Sequence, residues 1–138
     1  MKNINKIDIS DLVFKGEKLK MVILSYLEVE SIKDNIAEFF TLGYYLKECY
    51  ECIDKLVDNL NEYIEKVDNF HDEFKLNEVY GIALNKVESA TRLLNSLENV
   101  KAVAKDTDGF KEVEDALVTD IYSGLILAYR EVALLDFE

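Results

Sequence analysis

The chain has no proline in 138 residues and only five glycines, scattered singly. Proline and glycine break helices and form tight turns. Their scarcity leaves few places for the reversals that a many-stranded fold needs, so long helices are the expectation. The sequence is 49% hydrophobic and 32% charged, a balance that suits one globular domain over residues 1–138 and is too apolar for a disordered chain. No stretch reaches the roughly 18 apolar residues of a membrane span. No signal-peptide core follows the first residues. A cytoplasmic protein without a membrane partner is expected.

Apolar spacing carries the secondary-structure signal. From Ser31 the pattern runs Ile32, Ile36, Phe39, Leu46, Cys49, Ile53, Leu56, Leu60, Ile64 and Val67. These steps of three, four and seven lie on one helical face. Asp34, Lys47, Asp54, Asp58, Glu62, Glu65 and Lys66 fall on the other. One helix over 31–69 would be roughly 58 Å long, with Gly43 as a place for a break and Ser31–Asp34 as a loose capping box. A second stripe, Leu76, Tyr80, Ala83, Val87, Ala90, Leu94 and Leu97, alternates three and four over three heptads. The link around Asn69 to Lys75 is short, which predicts antiparallel neighbours.

Asp106-Thr107-Asp108-Gly109 is the clearest turn and offers N-cap residues for a last helix through Phe110, Val113, Leu117, Ile121, Leu125, Ala128, Val132 and Leu135. The second half of that helix is apolar on nearly all sides, which predicts the bundle centre or a dimer face. Leu12, Leu19, Val22, Ile23, Tyr26 and Val29 fit a helix. Residues 21–27 also fit a buried strand, which would have no partner among helices, so helix is preferred. The fold expected is all-α, a bundle of four to five mostly long antiparallel helices.

Cys49 and Cys52 form a C-x-x-C inside a helical pattern, beside Glu48 and Glu51. Redox sites of this spacing sit at a helix N-terminus, and zinc needs two further ligands. Two reduced cysteines in a helix, one or both facing the core, are expected. The lone histidine, His71, rules out di-iron bundles and H-E-x-x-H zinc sites. Asp106-x-Asp108-Gly109 with Asp115 hints at an EF-hand loop, but Ala104 and Lys111 occupy its first ligand and central apolar positions, which leaves a turn and a cap.

Glu48-x-x-Glu51, then thirteen residues, then Glu65-x-x-Asp68, resembles the metal-binding signature of the all-α NTP pyrophosphohydrolase family. The resemblance implies two facing helices whose carboxylates hold Mg²⁺, activate a water and bind phosphates. That family doubles its first glutamate, where this chain has Lys47. A single helix through both pairs would hold Glu48 and Asp68 roughly 30 Å apart.

Net charge supplies the preferred functional reading. Twenty-eight acids against sixteen bases give −12, which opposes direct nucleic-acid binding. The density peaks at Asp106, Asp108, Glu112, Glu114, Asp115 and Asp120. Such a surface keeps a protein soluble and also steers a basic partner onto itself. The expectation is a non-enzymatic binding protein without cofactor, of the inhibitor, immunity or antitoxin kind, that occupies a basic protein such as a nucleic-acid enzyme through those six carboxylates. The alternatives are the Mg²⁺-dependent pyrophosphohydrolase and an oligomeric scaffold, for instance a homodimer through the 76–97 stripe or the last helix.

Overall fold

The computed structural model describes residues 4–27, 44–70 and 72–135, leaving out the side chains of Tyr44 and Asn69. Val29, Ser31, Ile32, Asp34, Ile36, Phe39, Gly43 and His71, singled out above, lie outside the described residues. Among the described residues the fold is all-helical. Four helices pack on one another: α1 (Lys6–Leu27), α2 (Tyr44–Tyr63), α3 (Glu73–Ala104) and α4 (Phe110–Ala133).

Local chemistry explains the helix starts. Asn5 and Asp8 cap α1 reciprocally: Asp8 N–H donates to Asn5 Oδ1 at 3.1 Å and Asn5 N–H to Asp8 Oδ2 at 3.0 Å. Asp72 caps α3 by accepting Lys75 N–H at 2.9 Å. The start of α4 falls within the turn singled out from the sequence: its N-cap is Gly109 at φ 90°, with no side-chain cap bond. The reversal needs a left-handed residue, which glycine adopts without a Cβ clash. Thr107 N–H donates to Ala104 O, and Phe110 N–H to Thr107 O, to close the turn.

Helix α2 also ends earlier than its periodicity predicts. After Tyr63 come a turn, with Lys66 N–H on Tyr63 O at 2.9 Å, and a short 3₁₀ turn at Val67–Asn69. Ile64 and Val67 therefore leave the helix, and Val67 is buried by a different route. No proline or glycine marks this stop. Tertiary contacts impose it, including Tyr63 Oη on Val132 O at 3.3 Å.

Helix α1 packs on α2 and α3, and α4 packs on the same two helices. Thus α2 and α3, expected as neighbours, face each other across the bundle diagonal. Cross-helix contacts set the directions. Lys6–Glu65 and Lys20–Asp54 run α1 antiparallel to α2. Lys15–Glu88 and Ser25–Glu98 run α1 parallel to α3. Lys75–Glu131 runs α3 antiparallel to α4. Helix α4 is one of four equivalent members and not the bundle's centre.

The core is one aliphatic cluster. It holds Leu12, Leu19 and Ile23 of α1, Ile53 and Leu56 of α2, Ala83, Leu94 and Leu97 of α3, and Ile121 and Leu125 of α4. The 76–97 stripe is buried as its spacing predicts, except that Tyr80 is half-buried and Val79 joins it. Two cations enter this shell. Lys20 bonds Asp54 at 2.9 Å. Lys47, expected on the outer face, is buried and bonds Glu51 at 2.9 Å. A long lysine stem covers apolar surface while its head stays paired.

Helices α1 and α2 approach closely at Gly16, where a Cβ would stand 2.6 Å from Val57 Cγ2. Gly16→Ala therefore lowers stability by about 1–3 kcal/mol despite alanine's better helix propensity, and Val57→Ala in the same chain recovers most of the loss. Gly81 is the control: no atom lies within 4 Å of its would-be Cβ, so Gly81→Ala raises stability by up to ~1 kcal/mol. Urea denaturation of the three variants beside the parent checks both signs.

Candidate functional site

The hairpin joining α3 to α4 gathers most of the acidic residues singled out from the sequence. Asp106, Asp108, Glu112, Asp115 and Asp120 are exposed. Beside them Val100, Ala104, Thr107, Asp108, Gly109, Phe110 and Val113 line a groove of about 310 Å³. Val103 is 88% exposed, and Val100 and Val113 are about half exposed. The site is therefore an apolar groove on an acidic hairpin, with Asp108 the carboxylate in its lining. Sequence reasoning picked out the carboxylates but missed the valines, because Val100 and Val103 continue an amphipathic helix and nothing local marks them as uncovered.

Glu114 behaves differently from its neighbours. Its side chain is only 13% exposed. It accepts the hydroxyl of buried Tyr26 and bonds Lys111 Nζ at 3.2 Å. Burial, then the Glu114 carboxylate, push the Tyr26 phenol well above its ordinary value. The Lys101 ammonium stands 4.6 Å from the centre of the Tyr26 ring and donates to Tyr26 O at 2.9 Å. Glu114 thus ties α4 to the end of α1. The other five are exposed, and Asp115 stands 3.4 Å from Lys111 Nζ.

The Glu-x-x-Glu…Glu-x-x-Asp residues are held apart. Glu51 is paired with Lys47 on α2. Beyond the end of α2, Glu65 bonds Lys6 at 2.9 Å, and Asp68 lines a cleft of about 190 Å³ with Asn5, Glu73 and Asn77. From Glu48 to Tyr63 alone, α2 rises about 22 Å. The break in the expected helix does not bring the pairs together. Among the described residues no three histidine, cysteine, aspartate or glutamate side chains form a group that could hold a metal ion.

Cys49 and Cys52 are buried free thiols, as their place in a helical pattern predicts. Burial pushes the Cys49 thiol far up, with Cys52 and Glu48 adding to it. Burial also drives Cys52, which is pushed up to about 12 even though Lys55 and Arg130 pull the other way. Neither thiol is a nucleophile at neutral pH. Of the tyrosines near position 43, Tyr50 is buried, while Tyr45 is partly exposed and tilts against Tyr122 at 5.8 Å.

Among the described residues no helix is long and apolar enough to cross a membrane. No family model matches the chain, and neither curated proteins nor solved structures give a match.

Two outcomes are expected. Tyr26→Phe lowers stability by about 1–2 kcal/mol at pH 7, since it leaves the half-buried Glu114 short of a donor. The folded state holds the Tyr26 proton where an unfolded tyrosine, of pKa about 10, has released it. That contribution is complete below pH ~10 and is lost as pH rises further, so urea midpoints fall less steeply above pH ~10 in Tyr26→Phe than in the parent. Second, iodoacetamide near pH 8 leaves both cysteines unmodified in the native protein and labels both in denaturant, read by intact mass.

Proposed function

We propose that this is a binding protein that acts by occupying a basic protein partner, with the α3–α4 hairpin as its docking end. One observation carries the reading: an apolar groove with half-exposed Val100 and Val113 and with Asp108 in its lining lies at a helical hairpin whose Asp106, Glu112 and Asp115 are also exposed. An apolar centre with a charged rim is the usual anatomy of a protein interface. Burying one valine side chain contributes about 1.5–3 kcal/mol. The carboxylates supply what aliphatic contact cannot, namely selection and speed. Carboxylates attract a lysine- or arginine-rich surface, accelerate encounter and repel acidic competitors.

The partner this surface fits is a protein rich in lysine and arginine with an aliphatic or aromatic side chain projecting from the basic patch. Enzymes that act on nucleic acids carry such surfaces, because phosphate binding requires them. A protein seated there competes with the polyanion for the same cations, which makes inhibition its direct consequence. The family of inhibitors, immunity proteins and antitoxins works in this way, and this chain is proposed to belong to that functional kind. Homodimerisation is not required by the reading.

Capture from lysate of the native cell is the test, with the protein immobilised at about 0.05 and 0.5 M salt. A partner is expected at low salt and largely lost at high salt. The variant Asp106→Lys, Asp108→Lys, Glu112→Lys, Asp115→Lys loses it at both. Val103→Ser with Val113→Ser weakens it at both while keeping its salt dependence. The isolated partner loses nuclease or other nucleic-acid activity when the parent protein is added. Equal capture by the parent and the charge-reversed variant overturns the proposal.

A further inference from the structure

Helices α1 and α3 lie side by side, and between them runs a groove of about 210 Å³ lined by Lys15, Lys18, Val87, Glu88, Thr91 and Arg92. It belongs to a different face from the acidic hairpin. Its charge runs against the rest of the chain, where acids outnumber bases by 28 to 16: here three cations meet one carboxylate. Lys15 is already neutralised, with Asp11 at 3.4 Å and Glu88 at 3.5 Å. Lys18 and Arg92 are not. Among the described residues neither has a carboxylate partner. The Lys18 ammonium stands 5.6 Å from the centre of the Phe14 ring. Arg92 donates from Nη2 to Ser89 Oγ at 3.2 Å, which leaves most of its five N–H donors uncommitted.

The rest of the groove is apolar. Val87 is buried. The Thr91 hydroxyl donates to Val87 O at 2.9 Å, so its methyl is the uncommitted part of that side chain. Phe14, next to Lys15 on α1, is 61% exposed. Two unneutralised cations, one from each helix, therefore bracket an apolar floor.

We infer that this groove binds a small amphiphilic anion, a carboxylate or phosphate monoester attached to a hydrocarbon or aromatic body. The head group sits between Lys18 and Arg92, and the body lies on Val87 and Thr91 toward Phe14. Size and charge both select this class. The volume is below the roughly 300–1,000 Å³ of sites for drug-sized ligands, which suits one head group and a short apolar stretch. An extended polyanion or anionic membrane would meet the field of the whole chain, at −12. A small anion feels mainly the charges within a Debye length of about 8–10 Å, and the lining of the groove itself carries three cations against Glu88.

The test is a methyl-detected NMR titration of the full chain with octyl phosphate, octanoate, octanol and inorganic phosphate, beside sedimentation with phosphatidylglycerol vesicles. Octyl phosphate and octanoate are expected to shift the Val87 and Thr91 methyl resonances saturably. Octanol and inorganic phosphate bind at least about tenfold more weakly, a difference of about 1.4 kcal/mol. The variant Lys18→Gln with Arg92→Gln, in which both changes fall on exposed side chains, keeps its circular dichroism and loses about tenfold in affinity for both anions. The inference is overturned if neither anion saturates, if octanol or inorganic phosphate binds as well as octyl phosphate, or if the double variant binds undiminished. Vesicle sedimentation that needs Lys18 and Arg92 overturns it in favour of a membrane surface.

Discussion

Between Tyr63 and Glu73 the backbone crosses the diagonal of the bundle, and that crossing decides which helices touch. A short link would ordinarily place α2 beside α3. Here α1 and α4 each come between them, and every side-by-side pair follows from that: α1 with α2, α1 with α3, α4 with α2, α4 with α3. One buried side chain, one part-buried hydrogen bond and one exposed cap lie along the crossing. Val67 sits in the core, the Tyr63 hydroxyl reaches Val132 O, and Asp72 starts α3 with a side-chain cap. Two features of the surface depend on it. Only because α1 runs beside α3 does Tyr26 meet Lys101, and only then do Lys15 and Lys18 share a groove with Arg92.

Charge in this protein divides into two populations with different physics. Carboxylates such as Asp54 and Glu114 are bonded across helix junctions to Lys20 and Tyr26. Burial pulls the Lys20 ammonium down, but Asp54 and then Glu17 outweigh it and hold it above its ordinary value. Such pairs fix how the helices meet, because separating one would leave a charge in a poor solvent. The hairpin carboxylates Asp106, Asp108 and Glu112 are exposed, as is Asp115 beside Lys111, and each contributes little to folding. Glu114 lies between the two groups in sequence, yet it belongs with the first.

Much of the fold was legible along the chain. Seven of the eight positions predicted to make α4 lie within that helix, and six of the seven stripe positions of α3 are buried. The reversal at Gly109 and the buried thiols were also legible. The early stop of α2 was not, because no residue there breaks a helix. Lys47 was read as solvent-facing for a similar reason: the helical wheel locates it at the edge of the apolar face, and only a neighbour decides whether that edge is covered. The carboxylates of the candidate site could be read from charge density. Its valines could not, since an exposed aliphatic residue carries the same local pattern as a buried one.

The sequence alone determined the helical class, the place of the clearest turn and the face each long helix buries. Those are local properties, set by the 3.6-residue period, by the absence of proline and by the few glycines. The tertiary structure alone decided which faces meet, where α2 ends, which lysines are enclosed, and that Glu114 turns inward while its neighbours do not. Periodicity says that a stripe must be buried, but burial is non-directional, so any apolar stripe can satisfy any other. Pairing among the four helices is settled only by the fit of particular contacts, such as Gly16 against Val57 and Tyr26 against Glu114.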